Sequence, residues 1–317
     1  MTPIAAVPQD ALAESPLLES SVRDWIILLK PRVLTLVVFT GLIGLLVAPN
    51  PVHAGHLHPV EAFIAVLCIT VAAGAAGAIN MWYDRDIDAL MRRTLSRPIP
   101  AGRIAPDAAL CFGIMLAFGS VLLMDLATNA VAAGLLAGSI AFYVFVYTMW
   151  LKRRTPQNIV IGGAAGAFPP LIGWAAVTGG LDTLPLLMFA IVFCWTPPHF
   201  WALALWAHGD YARAGVPMLP VVSGARETRR QIFLYTLLLA ALSLAPWALH
   251  LAGLVYGISA AVLGLGFVIH AWRVLRDNQD DTGRSLTRDA PAKAAFRYSL
   301  YYLFALFTAL AVDRLIG

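Results

Sequence analysis

Asn80, Asp84 and Asp88 are spaced four residues apart near the end of a long apolar run. Residues four apart lie on one face of a helix, so two carboxylates and one amide oxygen are predicted to converge, while Asp86 lies off this face. A hard divalent cation such as Mg²⁺ relieves the repulsion between such carboxylates and completes its shell with phosphate oxygens and water. A solvated acidic helix end is the alternative. Because acids at a helix C-terminus oppose the helix dipole, the pattern favours a metal site.

An arginine-rich segment follows the acidic residues directly. It contains Arg92, Arg93, Arg97 and Arg103, set among prolines and a glycine. The guanidinium fork suits bidentate binding of a diphosphate. The same arginines could instead form surface ion pairs, each of which contributes little. The residues by themselves leave these two interpretations open.

Together, these segments resemble those of a known family. Asn80-x-x-x-Asp-x-x-x-Asp followed by Arg-Pro-Ile-Pro-x-Gly is similar to the motif of the UbiA superfamily of intramembrane prenyltransferases. The basic segment 147–158 resembles a loop of that superfamily. The segments Trp-Thr-Pro-Pro-His-Phe-Trp at 195–201 and Asp-Tyr-Ala-Arg-Ala-Gly-Val-Pro-Met-Leu-Pro at 210–220 resemble its haem O synthase branch. The resemblance covers nearly the whole chain.

The resemblance implies two Asp-rich motifs that hold Mg²⁺, the implied cofactor, on an isoprenoid diphosphate. It assigns catalytic and metal-binding roles to Asn80, Asp84 and Asp88 in the first motif and to Asp210 in the second. The superfamily pattern has another acid four residues after the first one, where this chain has Ala214. The ligands of any second metal ion therefore stay open.

The resemblance also implies a reaction. The farnesyl group of farnesyl diphosphate is transferred to a vinyl group of haem b, and water quenches the resulting cation to give haem O for terminal-oxidase cofactor synthesis. The diphosphate-binding residues expected from the resemblance are Arg92, Arg97, Lys152 and Arg153. A haem A synthase is the candidate protein partner, and no nucleic-acid partner is expected.

His199 is an ionisable residue within an apolar run. It follows Pro197-Pro198, a pair expected to break the helix and free backbone carbonyls. A lone histidine there is usually a satisfied core residue, but an intramembrane ionisable group is a functional candidate and neutral imidazole ligates iron well. With the resemblance, haem contact becomes an equal alternative. The residues predicted to contact haem or substrate are His199, Tyr147, Trp195 and Tyr211, with an interfacial aromatic belt as the alternative for the aromatics.

The composition requires that these residues be held by membrane-spanning helices. The 317-residue chain is 60% hydrophobic and 13% charged, with a mean hydropathy of +0.76, whereas soluble domains are about half apolar and about a quarter charged. The excess apolar surface must face a lipid bilayer. We predict an all-α polytopic membrane protein, a bundle of about nine transmembrane helices. The predicted spans are 25–48, 60–83, 108–127, 131–150, 158–178, 184–206, 231–250, 252–274 and 296–316.

The basic residues predict the orientation. With nine spans, 21 of the 22 lysines and arginines fall on the side that also holds the N-terminus, and the positive-inside rule makes that side cytoplasmic. Residues 1–22 have neither the arginines of a transit peptide nor the apolar run of a secretory signal. We therefore expect a disordered cytoplasmic tail over 1–22 and a single transmembrane prenyltransferase domain over 23–317. The protein is expected in a bacterial inner membrane, with its active site on the cytoplasmic side.

Three alternatives remain at this point. The acceptor could be an aromatic quinone precursor or a chlorin, although segments 195–201 and 210–220 indicate haem. A transporter would be expected to contain an inverted repeat with paired broken helices. A structural subunit of a respiratory complex would give the clustered acids and arginines no purpose.

Overall fold

The computed structural model describes residues 19–49 and 57–316, apart from the side chains of Arg32 and Val33. Residues 1–18 of the predicted tail therefore lie outside the described residues. The regular secondary structure of the described part is all helical, with one isolated bridge between Gln279 and Ser285, which confirms the all-α prediction. The helices are α1 (Val22–Leu28), α2 (Pro31–Leu46), α3 (Pro59–Tyr83), α4 (Arg85–Asp88), α5 (Pro106–Ala127), α6 (Ala130–Ala141) with a π-helical continuation (Phe142–Leu151), α7 (Asn158–Thr178), α8 (Thr183–Trp206), α9 (His208–Arg213), α10 (Leu219–Val222), α11 (Gly224–Ser243), α12 (Ala245–Ala248), α13 (Leu254–Leu275) and α14 (Ala290–Ile316).

Eight of these helical segments are long and apolar enough to cross a bilayer, so the chain is a multi-pass membrane protein. The eight are α3, α5, α6 with its π-helical continuation, α7, α8, α11 with α12, α13 and α14. A shorter apolar stretch, Leu34–Leu46, lies within α2. The second to sixth predicted spans agree with the observed helices within two residues at each end. The count of nine and the cytoplasmic N-terminus stay predictions.

Two predicted spans are divided near prolines in the structure, and the ninth begins at Ala290, six residues earlier than predicted. The first span is divided between α1 and α2 at Lys30, whose φ of 54° is left-handed and which precedes Pro31. A residue before proline is disfavoured in the right-handed helical region, so a helix commonly ends there. The seventh span starts at Gly224, seven residues earlier than predicted. It is interrupted after Ser243, and Pro246 lies in the first turn of the separate short helix α12, which begins at Ala245.

The predicted break at Pro197-Pro198 is wrong. Helix α8 continues from Thr183 to Trp206 through both prolines, and both are buried. The prolines remove two N–H donors, but neighbouring helices can support the freed carbonyls of a transmembrane helix without a break.

Close backbone packing holds the centre of the bundle. A Cβ at Gly173 would lie 2.0 Å from the carbonyl oxygen of Gly41, and one at Gly44 would lie 2.2 Å from that of Pro170. Helices α2 and α7 therefore touch through their backbones, as small residues permit in membrane bundles. This packing fixes the position of α2 and of Lys30 just before it.

Candidate active site

The Asn80 motif lies across a helix boundary. Helix α3 ends at Tyr83, Asp84 is its C-cap, and α4 begins at Arg85. The Asp88 amide still donates to the Asp84 carbonyl at 2.8 Å, so the spacing of one helical turn persists. The side chains of both aspartates are buried, with 0% exposure of either residue.

Asn80 connects three parts of the chain. Its Nδ2 donates to Asp84 Oδ2 at 2.7 Å and to Thr148 Oγ1 at 3.0 Å. Its Oδ1, the atom predicted to face a metal, accepts a hydrogen bond of 2.5 Å from Lys30 Nζ. The left-handed backbone of Lys30 has a strain of the order of 1–3 kcal/mol and is held by its surroundings.

Lys30 and Thr148 are site residues that the sequence analysis missed. Lys30 was counted there only as a loop charge, and Thr148 was not singled out. Their contacts with Asn80 span 50 and 68 residues. No local spacing signals a contact of that length, although the Lys-Pro pair at Lys30 did mark a helix boundary.

The π-helical segment Phe142–Leu151 delivers the basic residues of the next loop. The Lys152 amide donates to the Tyr147 carbonyl at 2.9 Å, five residues back. Lys152 Nζ forms an ion pair with Asp84 Oδ2. π-Helical insertions in α-helices are frequent at functional sites.

Arg153 forms ion pairs with two carboxylates. It donates two hydrogen bonds of 2.7 Å to Asp86, and its Nη2 lies 3.5 Å from Asp84 Oδ1. These bonds lower the pKa of Asp86 below its ordinary value. The guanidinium also lies 4.9 Å from the ring centroid of Tyr83. Asp86 is thus an exposed anchor for Arg153, in agreement with its predicted place off the metal-facing side.

Asp88 is held from the arginine-rich segment. Arg97 Nη1 lies 2.5 Å from Asp88 Oδ2, and Thr94 Oγ1 donates to the Asp88 carbonyl at 2.7 Å. Arg92 is exposed at the surface, whereas Arg93 donates to the Tyr211 hydroxyl at 2.8 Å. The structure therefore brings Arg97 directly to the motif.

The two buried carboxylates fit a divalent cation. Asp84 Oδ1 and Asp88 Oδ1 are buried and accept no hydrogen bond from any described residue. A buried oxygen without a partner is costly, and a cation would satisfy it. Within the described residues, no group of three or more His, Cys, Asp or Glu side chains is clustered. Two carboxylates with an amide are a donor set suited to Mg²⁺, which keeps several waters or phosphate oxygens.

The second motif is arranged differently. Asp210 lies in the short helix α9 and pairs with Arg213 of the same helix. Tyr211, beside it, is buried, and its ring lies 5.1 Å from the guanidinium of Arg93. The second motif therefore contacts the arginine-rich segment through Tyr211, and not through the Asp210 carboxylate.

His199 and Trp195 form a separate cluster with α14. The His199 ring stacks between Trp195 and Phe296, with ring centroids 4.3 and 4.4 Å away. Its Nδ1 lies 2.6 Å from Ser299 Oγ, and Trp195 Nε1 donates to the Ser299 carbonyl at 2.8 Å. Ser299 is a further residue that sequence reasoning missed, since it is 100 residues from His199.

Tyr147 packs against Tyr143 and α7. Its ring centroid is 5.3 Å from that of Tyr143. A Cβ at Gly162 would lie 2.2 Å from its ring, so only glycine allows α7 to approach here. Among the four residues predicted to contact haem or substrate, His199 stacks on Trp195, Tyr147 lies beside Tyr143, and Tyr211 lies beside Arg93.

Comparisons with known proteins agree with this architecture. Residues 37–310 match the model of the UbiA prenyltransferase family. The chain is 69% identical to protoheme IX farnesyltransferase of Granulibacter bethesdensis, over 94% of this chain and 92% of the relative. It is 66% identical to that of Acidiphilium cryptum, over 99% and 98%.

Solved structures share the fold. A structure of digeranylgeranylglyceryl phosphate synthase superposes with a TM-score of 0.73 at 18% identity, covering 93% of this chain and 99% of that one. A UbiA homolog from Archaeoglobus fulgidus bound to GPP and Mg²⁺ gives a TM-score of 0.61 at 16% identity, covering 90% and 99%. With a family match over most of its length and full-length relatives of high identity, this chain belongs to the UbiA prenyltransferase family.

Proposed function

We propose that this chain transfers the farnesyl group of farnesyl diphosphate to a vinyl group of haem b, giving haem O. The observation that carries the reaction class is the pair of buried carboxylates, Asp84 and Asp88. Each has one oxygen that accepts no hydrogen bond from a described residue, and each is paired with a cationic side chain. The choice of haem as acceptor is supported by relatives named protoheme IX farnesyltransferase, which share up to 69% identity with the chain.

Mg²⁺ is the proposed cofactor, held by Asp84, Asp88 and Asn80. When bound, it stabilises the negative charge that grows on the leaving diphosphate. For Asn80 to contribute its amide oxygen, Lys30 must release it and turn toward the diphosphate. Asp210 is the proposed contributor from the second motif, and its ion pair with Arg213 indicates a weaker role than that of Asp84.

The cationic side chains are proposed to bind the diphosphate itself. Lys152, Arg153 and Arg97 already lie at the two carboxylates, and Lys30 lies at Asn80. Fixed positive groups stabilise the transition state because charge on the diphosphate oxygens increases as the allylic carbon–oxygen bond breaks. Arg92, exposed on the surface, is proposed to assist as diphosphate arrives.

The remaining steps require a dry pocket and an acceptor. The bonding pair stays with the departing diphosphate, and the allylic carbon bonds to the haem vinyl group. Water then adds to the cation left on the haem side chain and loses a proton, which gives the hydroxyethylfarnesyl group. Water that entered before the acceptor attacks would react with the allylic cation and prevent transfer to haem. Tyr147 and Tyr211 are proposed to shield that cation, since aromatic faces attract cations by about 0.5–2 kcal/mol, and His199 and Trp195 are proposed to contact haem.

The proposed location is a bacterial inner membrane with the site at the cytoplasmic face. The distribution of lysine and arginine supports this orientation. Both substrates are apolar molecules with charged ends, so each can reach the site from the bilayer. A haem A synthase stays the predicted recipient of the product.

A single assay tests the proposal. Purified protein is incubated with haem b, farnesyl diphosphate and Mg²⁺, and mass spectrometry follows the hydroxyethylfarnesyl product beside an Asp84→Asn variant. We expect product that requires Mg²⁺ and is lost in the variant. Farnesyl transfer to a quinone precursor but not to haem b would overturn the acceptor and keep the reaction class. Folded protein that transfers no prenyl group would overturn the enzyme.

A further inference from the structure

We infer that Ser299 is a positioning residue that holds His199 with its proton on Nδ1, so that Nε2 presents its lone pair to the iron of haem. The inference rests on the proposed function, because it takes haem b as the substrate. It adds a residue that no sequence motif marks and names the atom of His199 that would contact the iron.

The tautomer is inferred from the hydrogen bonds of Ser299. Its hydroxyl donates to the Phe296 carbonyl at 2.7 Å, one turn earlier in α14. A serine hydroxyl has a single proton. With that proton donated to the Phe296 carbonyl, the contact of 2.6 Å with His199 uses Ser299 Oγ as the acceptor and Nδ1 as the donor. In a neutral imidazole with Nδ1 protonated, Nε2 holds the free lone pair.

The same residue fixes the direction of the ring. The indole of Trp195 is nearly parallel to the imidazole, at 19°, and is itself held by the hydrogen bond from Nε1 to the Ser299 carbonyl. Phe296 covers the other face at 23°. With both faces covered, the ring can offer only its edge to a ligand.

Nε2 lies on the accessible part of that edge. His199 keeps 7% of its surface exposed. Nε2 forms no hydrogen bond with a described residue, and it keeps some exposed surface. His199 is seven residues before the end of α8, which places it about 10 Å inside the helix terminus.

His270 is the natural comparison. It lies in α13, stacks on Tyr298 with ring centroids 4.6 Å apart, and leaves a buried Nδ1 without a partner among the described residues. No hydrogen bond from a described residue fixes which nitrogen of His270 carries the proton. An imidazole that ligates a metal almost always donates its other N–H to a partner, which fixes its orientation and raises its basicity. His199 meets that requirement through Ser299, and His270 does not.

The chemistry needs no further reactant. The Nε2 lone pair forms a bond to iron, Nδ1 keeps its proton, and no electron is transferred. Coordination would hold the porphyrin plane in one place, and its vinyl groups with it. His199 would therefore contribute to substrate binding, while Ser299 would act only through His199.

Resonance Raman spectroscopy of the full-length protein in nanodiscs with added ferrous haem b tests this assignment. We expect an iron–histidine stretching band in the wild type, loss of that band in His199→Ala, and its return when imidazole is added. The matched variant His270→Ala should keep the band. Persistence of the band in His199→Ala, or its loss in His270→Ala alone, would overturn the inference.

Ser299 is tested by the position of the band. Ser299→Ala removes the acceptor of Nδ1–H, so Nε2 becomes a weaker donor and the band should move to lower frequency, whereas Ser299→Thr should restore it. An unchanged frequency in Ser299→Ala would overturn the positioning role even if His199→Ala fails to fold. Haem that is farnesylated by the wild type without any iron–histidine band would overturn the inference and leave the proposed function intact. Absence of both haem binding and farnesyl transfer would overturn both.

Discussion

The segments that follow α3 and α8 each place an aspartate near a helix end with arginines close by, yet they fold differently. After α3, Asp84 and Asp88 are fully buried and are paired with Lys152 and Arg97 from other segments of the chain. After α8, Asp210 pairs with Arg213 of its own short helix. The first segment is assembled by tertiary contacts, and the second is satisfied locally.

The difference shows what makes an acidic motif suitable for a metal ion. Burial removes water from the carboxylates of the first segment. One oxygen of each then has no hydrogen-bond donor among the described residues, and a cation can satisfy it. The carboxylate of the second segment is paired with an arginine three residues away, and such a local surface ion pair contributes little to stability. Equivalent positions in a sequence pattern can therefore carry unequal roles.

The largest expected effect is on catalysis by the first segment. Asp84→Asn or Asp88→Asn keeps the shape of the side chain but removes its charge, so we expect kcat to fall by about 10²–10³-fold, as when one group that stabilises transition-state charge is removed. Steady-state rates of farnesyl transfer measure the loss. A fall of less than about tenfold in both variants would show that these carboxylates do not hold the metal ion.

The next effect is on stability. Lys152→Met leaves the buried carboxylate of Asp84 with the hydrogen bond from Asn80 and with Arg153, 3.5 Å away, as its cation. The free energy of unfolding should therefore fall by about 3 kcal/mol, the low end for a broken buried pair. Added Mg²⁺ should restore part of this loss. The matched variant Arg213→Met, in the second segment, should cost no more than about 1 kcal/mol. Equal losses in the two variants, measured by unfolding in detergent with and without Mg²⁺, would remove the distinction between the segments.

A smaller effect is expected at the second segment. Because Asp210 is already neutralised by Arg213, Asp210→Asn should lower kcat/KM by less than about tenfold, within the range of one ordinary hydrogen bond. The Mg²⁺ concentration that gives half-maximal rate should not move. A loss as large as that of Asp84→Asn, with weaker Mg²⁺ dependence, would instead make Asp210 a full metal ligand.

The smallest effect concerns Asp86, which is exposed at the edge of the first segment. Arg153 lowers the pKa of Asp86, so the pair stabilises the fold at every pH above the ordinary carboxyl value of about 4 and is lost as the pH falls through the lower folded value. The difference in unfolding midpoint between wild type and Asp86→Asn should thus be small and constant from pH 9 down to about 5, and should vanish only in stronger acid. A difference that changes near neutral pH would contradict the lowered pKa.

Much of the fold could be predicted because the bilayer imposes local rules. A span needs about 20 apolar residues and must satisfy its own backbone, so apolar runs located five helices within two residues at each end. The four-residue spacing likewise predicted the contact of Asn80 with Asp84, because the two residues are one helical turn apart. Proline predicted helix ends less well. A helix does end just before Pro31, whereas α8 continues through Pro197-Pro198.

The sequence by itself determined that this chain spans a membrane and bears an acidic motif with basic segments beside it, because composition and short-range spacing express both. Only the tertiary structure decided which cations reach which carboxylates, and that Ser299 orients His199. Lys30, Lys152 and Ser299 make their contacts across 50, 68 and 100 residues of chain. Contacts of that span depend on how whole helices pack, and no periodicity within one helix encodes them.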